Sequence, residues 1–311
     1  MNSAATQFQK ASQTLDSVFL ALGLASNLFV CFIMIRCKLT KKSISNFYVF
    51  QLSVAEVVYR TALAVLEIYF LNRNNHHLIS DAECKVIIFW RQAFCAAVFI
   101  LLVGIATDRK EHIINSIKAM TMDKHRKTRI AFIWLFALIL SIPMSLSATL
   151  SPRLKMPGRQ NIDEKPLFVC LLPRGRLSSM ISVTIYFLFA FFVPLAIISR
   201  SYYQIFIYLR DRAKARKLSA FYIRSKYKAL SMLVIITASF LLSWGPLMCS
   251  TLATAYDFKV RIGDISVMKI AISISLTSSI IHPFIYSFGN ANFRSEVVRT
   301  FRSCISKARF Q

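Results

Sequence analysis

Asp108 and Arg109 stand side by side near the end of a long apolar run, and Arg91 lies eighteen residues earlier in the same run. An acid beside a base can form an ion pair that is made in one state and broken in another. Eighteen residues of helix are about five turns, so Arg91 and Arg109 share one face at opposite ends. Glu56, Arg60 and Glu67 interrupt a second apolar run. An ionised group in such a place is expensive unless partnered, which makes each a candidate for pairing, ion holding or ligand contact. Positions i and i+4 share a helix face, so Glu56 can reach Arg60 directly. Gln92 and Tyr186 are polar handles in otherwise apolar surroundings. This is chemistry of binding and switching. No nucleophile–base arrangement stands out, and the seven cysteines form no CxxC pair and no Cys/His cluster with zinc spacing. Neither a cofactor nor a metal is expected, and the chain does not read as an enzyme. Cys31, Cys37, Cys95 and Cys249 lie in or beside apolar runs and read as small buried hydrophobes. Cys84 and Cys170 instead lie in polar segments.

The elements that carry these residues follow from hydropathy. Of 311 residues 56% are hydrophobic, and the mean hydropathy is +0.52. A bilayer core of about 30 Å takes roughly 20 helical residues to cross. Seven runs meet that length: the nineteen uncharged residues between Asp16 and Arg36, then about Asn46 to Leu71, Val86 to Thr107, Ile130 to Leu150, Leu177 to Ser199, Ala229 to Tyr256, and Ile265 to Phe293. The expected fold is an all-α membrane protein, a seven-transmembrane-helix bundle over 17–293. Residues 1–16 form an outer N-terminus, and 294–311 a short amphipathic eighth helix and tail. The first run is too long for a cleaved signal peptide and its positive charges follow it, so it reads as an anchor.

The net charge of +25 is gathered in clusters between the runs. Basic faces of this strength can bind nucleic acid, but these clusters interrupt membrane-length spans, and nucleic acid is excluded as a partner. With the N-terminus outside, the inner segments carry 25 basic residues against 12 in the outer ones, with Arg60 and Arg91 inside spans. Lys and Arg accumulate on the cytoplasmic side, so this orientation is favoured and the C-terminus is cytoplasmic.

Motifs in fixed order decide among proteins of this architecture. The first run carries Gly23-Leu-Ala-Ser-Asn27, the second Leu52-Ser-Val-Ala-Glu56, and Cys84 precedes Asp108-Arg109-Lys110 by about the length of the third. Trp134 marks the fourth run, and Pro194 with Tyr202 the fifth. The sixth reads Phe240-Leu-Leu-Ser-Trp244-Gly-Pro246, and the seventh His282-Pro283-Phe-Ile-Tyr286. The set, one motif per helix over nearly the whole chain, resembles the rhodopsin-like (class A) G-protein-coupled receptor family, and its fifth and sixth helices resemble the peptide-receptor branch.

That resemblance implies roles. Cys84 and Cys170 would be joined in a disulfide that pins an outer loop over the ligand entrance; two free thiols are the alternative. Asp108 would hold Arg109 at rest, with Tyr202 and Tyr286 taking it in the active state. Phe240 and Trp244 would repack around the proline hinges Pro246 and Pro283 to swing the sixth helix outward. Proline supplies such hinges because it removes a hydrogen bond and kinks its helix; a static kink is the plainer reading. Asn27, Glu56, Ser278 and Ser279 would form the buried polar core. Relatives hold a sodium ion near the position of Glu56. Here the acid is one methylene longer, His282 replaces an asparagine and Val98 a serine, so pairing of Glu56 with Arg60 or His282 competes with an ion. Lys110 and Lys226 replace groups that restrain Arg109, which implies appreciable basal activity. Cys304, among basic residues of the tail, is a candidate for palmitoylation.

The resemblance makes a plasma-membrane receptor, with a heterotrimeric G protein and the lipid bilayer as partners, the expected function. Arg91 stands where amine receptors place an aspartate, so it disfavours a protonated amine and favours an acidic group; internal pairing with Glu67 is the alternative. Glu67, Arg91, Gln92 and Tyr186 are the candidate ligand contacts. An extracellular peptide is the first expectation, and an acidic lipid or small carboxylate the second. A transporter or channel would show internal repeats or charges threading several spans, and neither is present.

Overall fold

The computed structural model describes residues 2–42, 44–71, 80–115, 117, 120, 124–152, 168–215, 219–258, 261–262, 265–289 and 291–308. Its helices are α1 (Asn2–Arg36), α2 (Leu39–Lys42), α3 (Ile44–Leu71), α4 (Asp81–Ile114), α5 (Arg126–Ser147), α6 (Leu177–Tyr186), α7 (Val193–Lys214), α8 (Ala220–Ala255), α9 (Val267–Gly289) and α10 (Ala291–Ala308). A π-helical turn, Phe187–Phe192, joins α6 to α7 without a break. Two short antiparallel strand pairs, β1 (Thr149–Pro152) with β2 (Phe168–Leu171) and β3 (Arg261–Ile262) with β4 (Ile265–Ser266), lie between helices.

The helices are long because an apolar backbone away from water must satisfy its own hydrogen bonds. Among the described residues, five helical stretches are long and apolar enough to cross a membrane: Thr14–Arg36, Asp81–Ile114, Arg126–Ser147, Leu177–Lys214 and Ala220–Ala255. Helix α3 carries Glu56, Arg60 and Glu67 within its apolar sequence. Local signals set the ends. Ser80 and Glu83 form a reciprocal capping box at the start of α4, with Ser80 Oγ accepting from the Glu83 N–H and Glu83 Oε2 accepting from the Ser80 N–H. Ser219 Oγ accepts from the Tyr222 N–H at the start of α8. Before Pro194 the helix widens, and the Val193 N–H bonds the Leu188 carbonyl five residues back. Proline offers no N–H and crowds the preceding turn, and the wider turn makes room for its ring.

Packing forms a ring around α4. It packs on α3, α5 and α7; α7 packs on α8, α8 on α9, and α9 returns to α1, which packs on α3. Burial is inverted relative to a water-soluble domain. Phe132, Leu135, Phe136, Ile139, Ile142 and Leu146 make an exposed apolar stripe on α5, at the spacing of one helix face. Meanwhile Asn27, Glu56, Arg60, Asp108, Ser278 and Ser279 are buried inside. Helix α1 meets α9 at Gly23, where a Cβ would collide with Ser279 Oγ. Helix α3 meets α4 at Gly104, where a Cβ would come within 2.6 Å of Tyr48 Cε1. These glycines are needed for close approach between helices.

Candidate functional site

At one end of the ring, Cys84 at the start of α4 is bonded to Cys170 in β2. The strand pairing places Leu150 opposite Cys170, so the bond anchors the whole β1–β2 hairpin to α4. The chain after β2 is thereby drawn inward, and Leu172 and Arg174 line a cavity of about 320 Å³. The Gly175 N–H donates to the Ala255 carbonyl at the end of α8 and closes the rim.

The cavity walls come from α3, α4, α5, the α6–π segment, α8 and α9. Of the residues singled out in the sequence, Arg91, Gln92 and Tyr186 line it together. Two of these are engaged: Gln92 Nε2 donates to Met144 Sδ at 3.3 Å, and the Tyr186 hydroxyl donates to the Gln92 carbonyl at 2.8 Å. Arg91 has no hydrogen-bond or ion-pair partner among the described residues. The side chain of Glu67 lies outside the described residues, as do those of His282, Tyr286 and Cys304.

The floor of the cavity includes Tyr59 and Trp244. Their ring centroids are 5.8 Å apart, and Trp244 continues into Phe240 at 5.8 Å. Phe99 of α4 packs edge-on against Phe240 at 4.4 Å, Trp244 at 5.7 Å and Phe191 at 5.4 Å. Trp244 Nε1 donates to Ser278 Oγ at 2.9 Å, which ties α8 to α9 two residues before Pro246. Aromatic pairs of this kind prefer tilted or edge-on contacts, and each fixes orientation as well as burying area.

Below the floor, Glu56 Oε2 lies 3.4 Å from Arg60 Nε, with both side chains inaccessible to solvent. Arg60 Nη2 also donates to the Ser275 carbonyl of α9 at 3.4 Å. Of the partners left open for Glu56 in the sequence, Arg60 is therefore the one in place. The guanidinium stands at Oε2 of this carboxylate and would compete with a bound cation there, while Glu56 Oε1 and Ser279 Oγ are buried without a hydrogen-bond partner among the described residues. Nearby, Asn27 Nδ2 donates to the carbonyls of Gly23 and Ser279, each at 2.9 Å, and staples α1 to α9.

Toward the other end, Asp108 is fully buried and lies 3.2 Å from His112 Nδ1. Arg109 is within electrostatic reach of Asp108 and Tyr202. The Tyr202 hydroxyl is hydrogen-bonded to Thr237 Oγ1 at 3.1 Å, joining α7 to α8. Lys226 packs its ammonium over the Tyr222 ring at 5.1 Å. Pro246 and Pro283 lie inside α8 and α9.

Several participants were missed in the sequence. Arg174 sits four residues after Cys170, close enough for the disulfide to carry it over the cavity, and that signal was available. Phe99 lies eight residues after Arg91, a little over two turns, so its face was also readable. Tyr59, Thr237 and His112 carry no motif, and only packing reveals them.

The ring of helices thus carries a cavity at one end, an aromatic stack beneath it and a charged cluster at the other end. The chain matches the 7 transmembrane receptor (rhodopsin family) over residues 26–286. It belongs to that family, one of multi-pass membrane receptors and not of enzymes. It is similar to Neuropeptide FF receptor 2 of Mus musculus, 26% identical over 304 residues that cover 93% of this chain and 72% of the relative. It is 24% identical to Neuropeptide Y receptor type 6 of Mus musculus, over 93% of this chain and 79% of that one. It is 27% identical to CX3C chemokine receptor 1 of Bos taurus, over 94% of this chain and 77% of that one. By name, the three relatives are neuropeptide or chemokine receptors.

Proposed function

We propose that this chain is a plasma-membrane receptor that binds an extracellular peptide in the outer cavity and activates a heterotrimeric G protein at its cytoplasmic face. Seven of the helices, α1, α3, α4, α5, the continuous α6–α7, α8 and α9, cross the bilayer with the N-terminus outside. Helix α10 is the short eighth helix on the inner surface. Arg294, Arg299 and Arg302 line a shared surface there, suited to anionic head groups, while Phe293 is buried against the bundle. Cys304 on the same helix is its candidate lipid attachment point.

The observation that carries this reading is the sharing of Trp244. It lines the ligand cavity and also belongs to the aromatic stack that packs α4 against α8 beside Pro246. A ligand that displaces Trp244 changes the free energy of the hinge, and only such differential contact can shift a two-state element. Arg109, Asp108 and Tyr202 then lie at the end that α8 would uncover, with Tyr286 as the further partner of Arg109. Peptide relatives support the ligand class; the cavity, at the lower end of the usual small-ligand range of about 300–1,000 Å³, would take only a part of such a peptide.

The test is basal second-messenger signalling from the expressed chain against Arg109→Ala at matched surface level. The expected result is a basal signal that disappears in the variant. Equal signals from the two would refute G-protein coupling through Arg109.

A further inference from the structure

The cavity holds an imbalance of charge and of hydrogen-bonding capacity. Its serine and threonine hydroxyls are committed to their own helices: Thr251 Oγ1 donates to the Leu247 carbonyl at 2.7 Å, Thr254 Oγ1 to the Ser250 carbonyl at 2.7 Å, and Ser275 Oγ to the Ile272 carbonyl at 2.7 Å. The Gln92 amide and the Tyr186 hydroxyl are spent as described above. Besides the Tyr59 hydroxyl, two charged donors remain, both guanidinium groups. Arg91, half-buried on α4, and Arg174, on the segment drawn in by the disulfide, both line the cavity and have no partner among the described residues. Among the described residues, no carboxylate lines it.

We propose, resting on the receptor reading above, that the ligand of this cavity carries its own carboxylate on an apolar body, and that Arg91 and Arg174 hold it. A guanidinium presents paired N–H donors in a planar fork that matches a carboxylate, so two forks can satisfy both oxygens. The rest of the wall is Met144, Val183, Phe187, Leu247, Met248 and Leu276, which suits an apolar body and no second charge. A doubly charged phosphate would have to shed more hydration among these side chains than a singly charged carboxylate. A protonated amine is rejected outright, because it would meet two like charges at close range. The carboxylate can come from an acidic peptide or from a fatty acid.

The experiment uses the full chain, purified into nanodiscs of zwitterionic phosphatidylcholine, and reads the unfolding midpoint with three probes. These are N-acetyl-Leu-Phe as the free acid, with a single carboxylate, its neutral counterpart N-acetyl-Leu-Phe-amide, and decanoate, each at about 1 mM, a concentration suited to a fragment-sized contact. Stabilisation by the free acid and not by the neutral peptide is expected. The acid's shift should vanish in Arg91→Gln and be retained in part by Arg91→Lys. In Arg174→Gln, an exposed position whose replacement does not threaten folding, the acid should bind about tenfold more weakly. A larger shift from the peptide acid than from decanoate assigns a peptide source, and the reverse assigns a lipid source. Equal shifts from acid and neutral peptide would overturn the proposal. So would an acid shift that survives Arg91→Gln, or no shift from any probe. Signalling is not read here, so loss of this site and loss of G-protein coupling are told apart by the separate Arg109→Ala measurement.

Discussion

Replacing Arg60 by Met should destabilise the chain severely, and replacing Glu56 by Leu in the same chain should restore it. The two charges are 3.4 Å apart and shielded from solvent. At an effective dielectric of about 20 their attraction is about 5 kcal/mol. Most of that attraction offsets the cost of taking both ions out of water, so the intact pair contributes little net stability. Removing one partner leaves the other charge buried and uncompensated, which costs about 3–5 kcal/mol. At about 2 °C per kcal/mol for a chain of this size, Arg60→Met should lower the unfolding midpoint by about 6–10 °C. The double substitution Glu56→Leu with Arg60→Met removes both charges and fills similar volume. Beyond the pair it loses the bond to the Ser275 carbonyl and the guanidinium's contact with the Tyr59 ring at 5.3 Å, each worth about 1 kcal/mol net. Its midpoint should therefore return to within about 4 °C of the parent. The assay is thermal unfolding of the detergent-purified chain, with both singles and the double measured side by side to give the coupling energy. A double variant as unstable as the sum of its singles would show that the two charges do not depend on each other, and the reasoning would fail.

Three further outcomes follow from particular contacts. Trp244→Phe keeps the aromatic stack but loses the bond to Ser278 Oγ; releasing about 1 kcal/mol between α8 and α9 should raise basal second-messenger signalling about fivefold. Ser278→Ala should do the same, and a normal Ser278→Ala with an altered Trp244→Phe would rule out the bond as the restraint. Gly23→Ala should cut surface expression, because its Cβ collides with Ser279 Oγ, and Ser279→Ala in the same chain should restore much of it; no rescue would place the fault elsewhere. Reduction of the Cys84–Cys170 bond, which closes a loop with a sequence separation of 86, should cost about 4–5 kcal/mol in the chain-entropy picture. Dithiothreitol should accordingly lower the unfolding midpoint of the parent, while leaving that of a Cys84→Ser, Cys170→Ser chain unchanged.

Much of the architecture was legible without coordinates, since hydropathy and charge clustering set where helices run. The order of motifs from Gly23-Leu-Ala-Ser-Asn27 to His282-Pro283-Phe-Ile-Tyr286 pointed to the family over nearly the full chain. Arg91, Gln92 and Tyr186 were found as candidates because a polar group in an apolar run is conspicuous, and they do share one cavity. Tyr59 was not found, because an aromatic residue in a membrane-length run looks the same whether it faces the interior or the outside.

By itself, then, the sequence determined which residues are helical, which segments stay polar, and which charges must find partners. Those properties are local, because each depends on the free energy of a residue within its own stretch of chain. The tertiary structure alone decided the pairings. Arg60 met the Ser275 carbonyl of α9, and the Trp244 indole met the Ser278 hydroxyl. Asn27 reached the Ser279 carbonyl across 252 residues. Arg174 came to stand over the same cavity as Arg91, and Trp244 became common to the cavity and the aromatic stack. Such contacts depend on the rotation of each helix about its axis and on how closely neighbours approach at Gly23 and Gly104. Both are set by packing all the helices at once, a quantity that no single segment encodes.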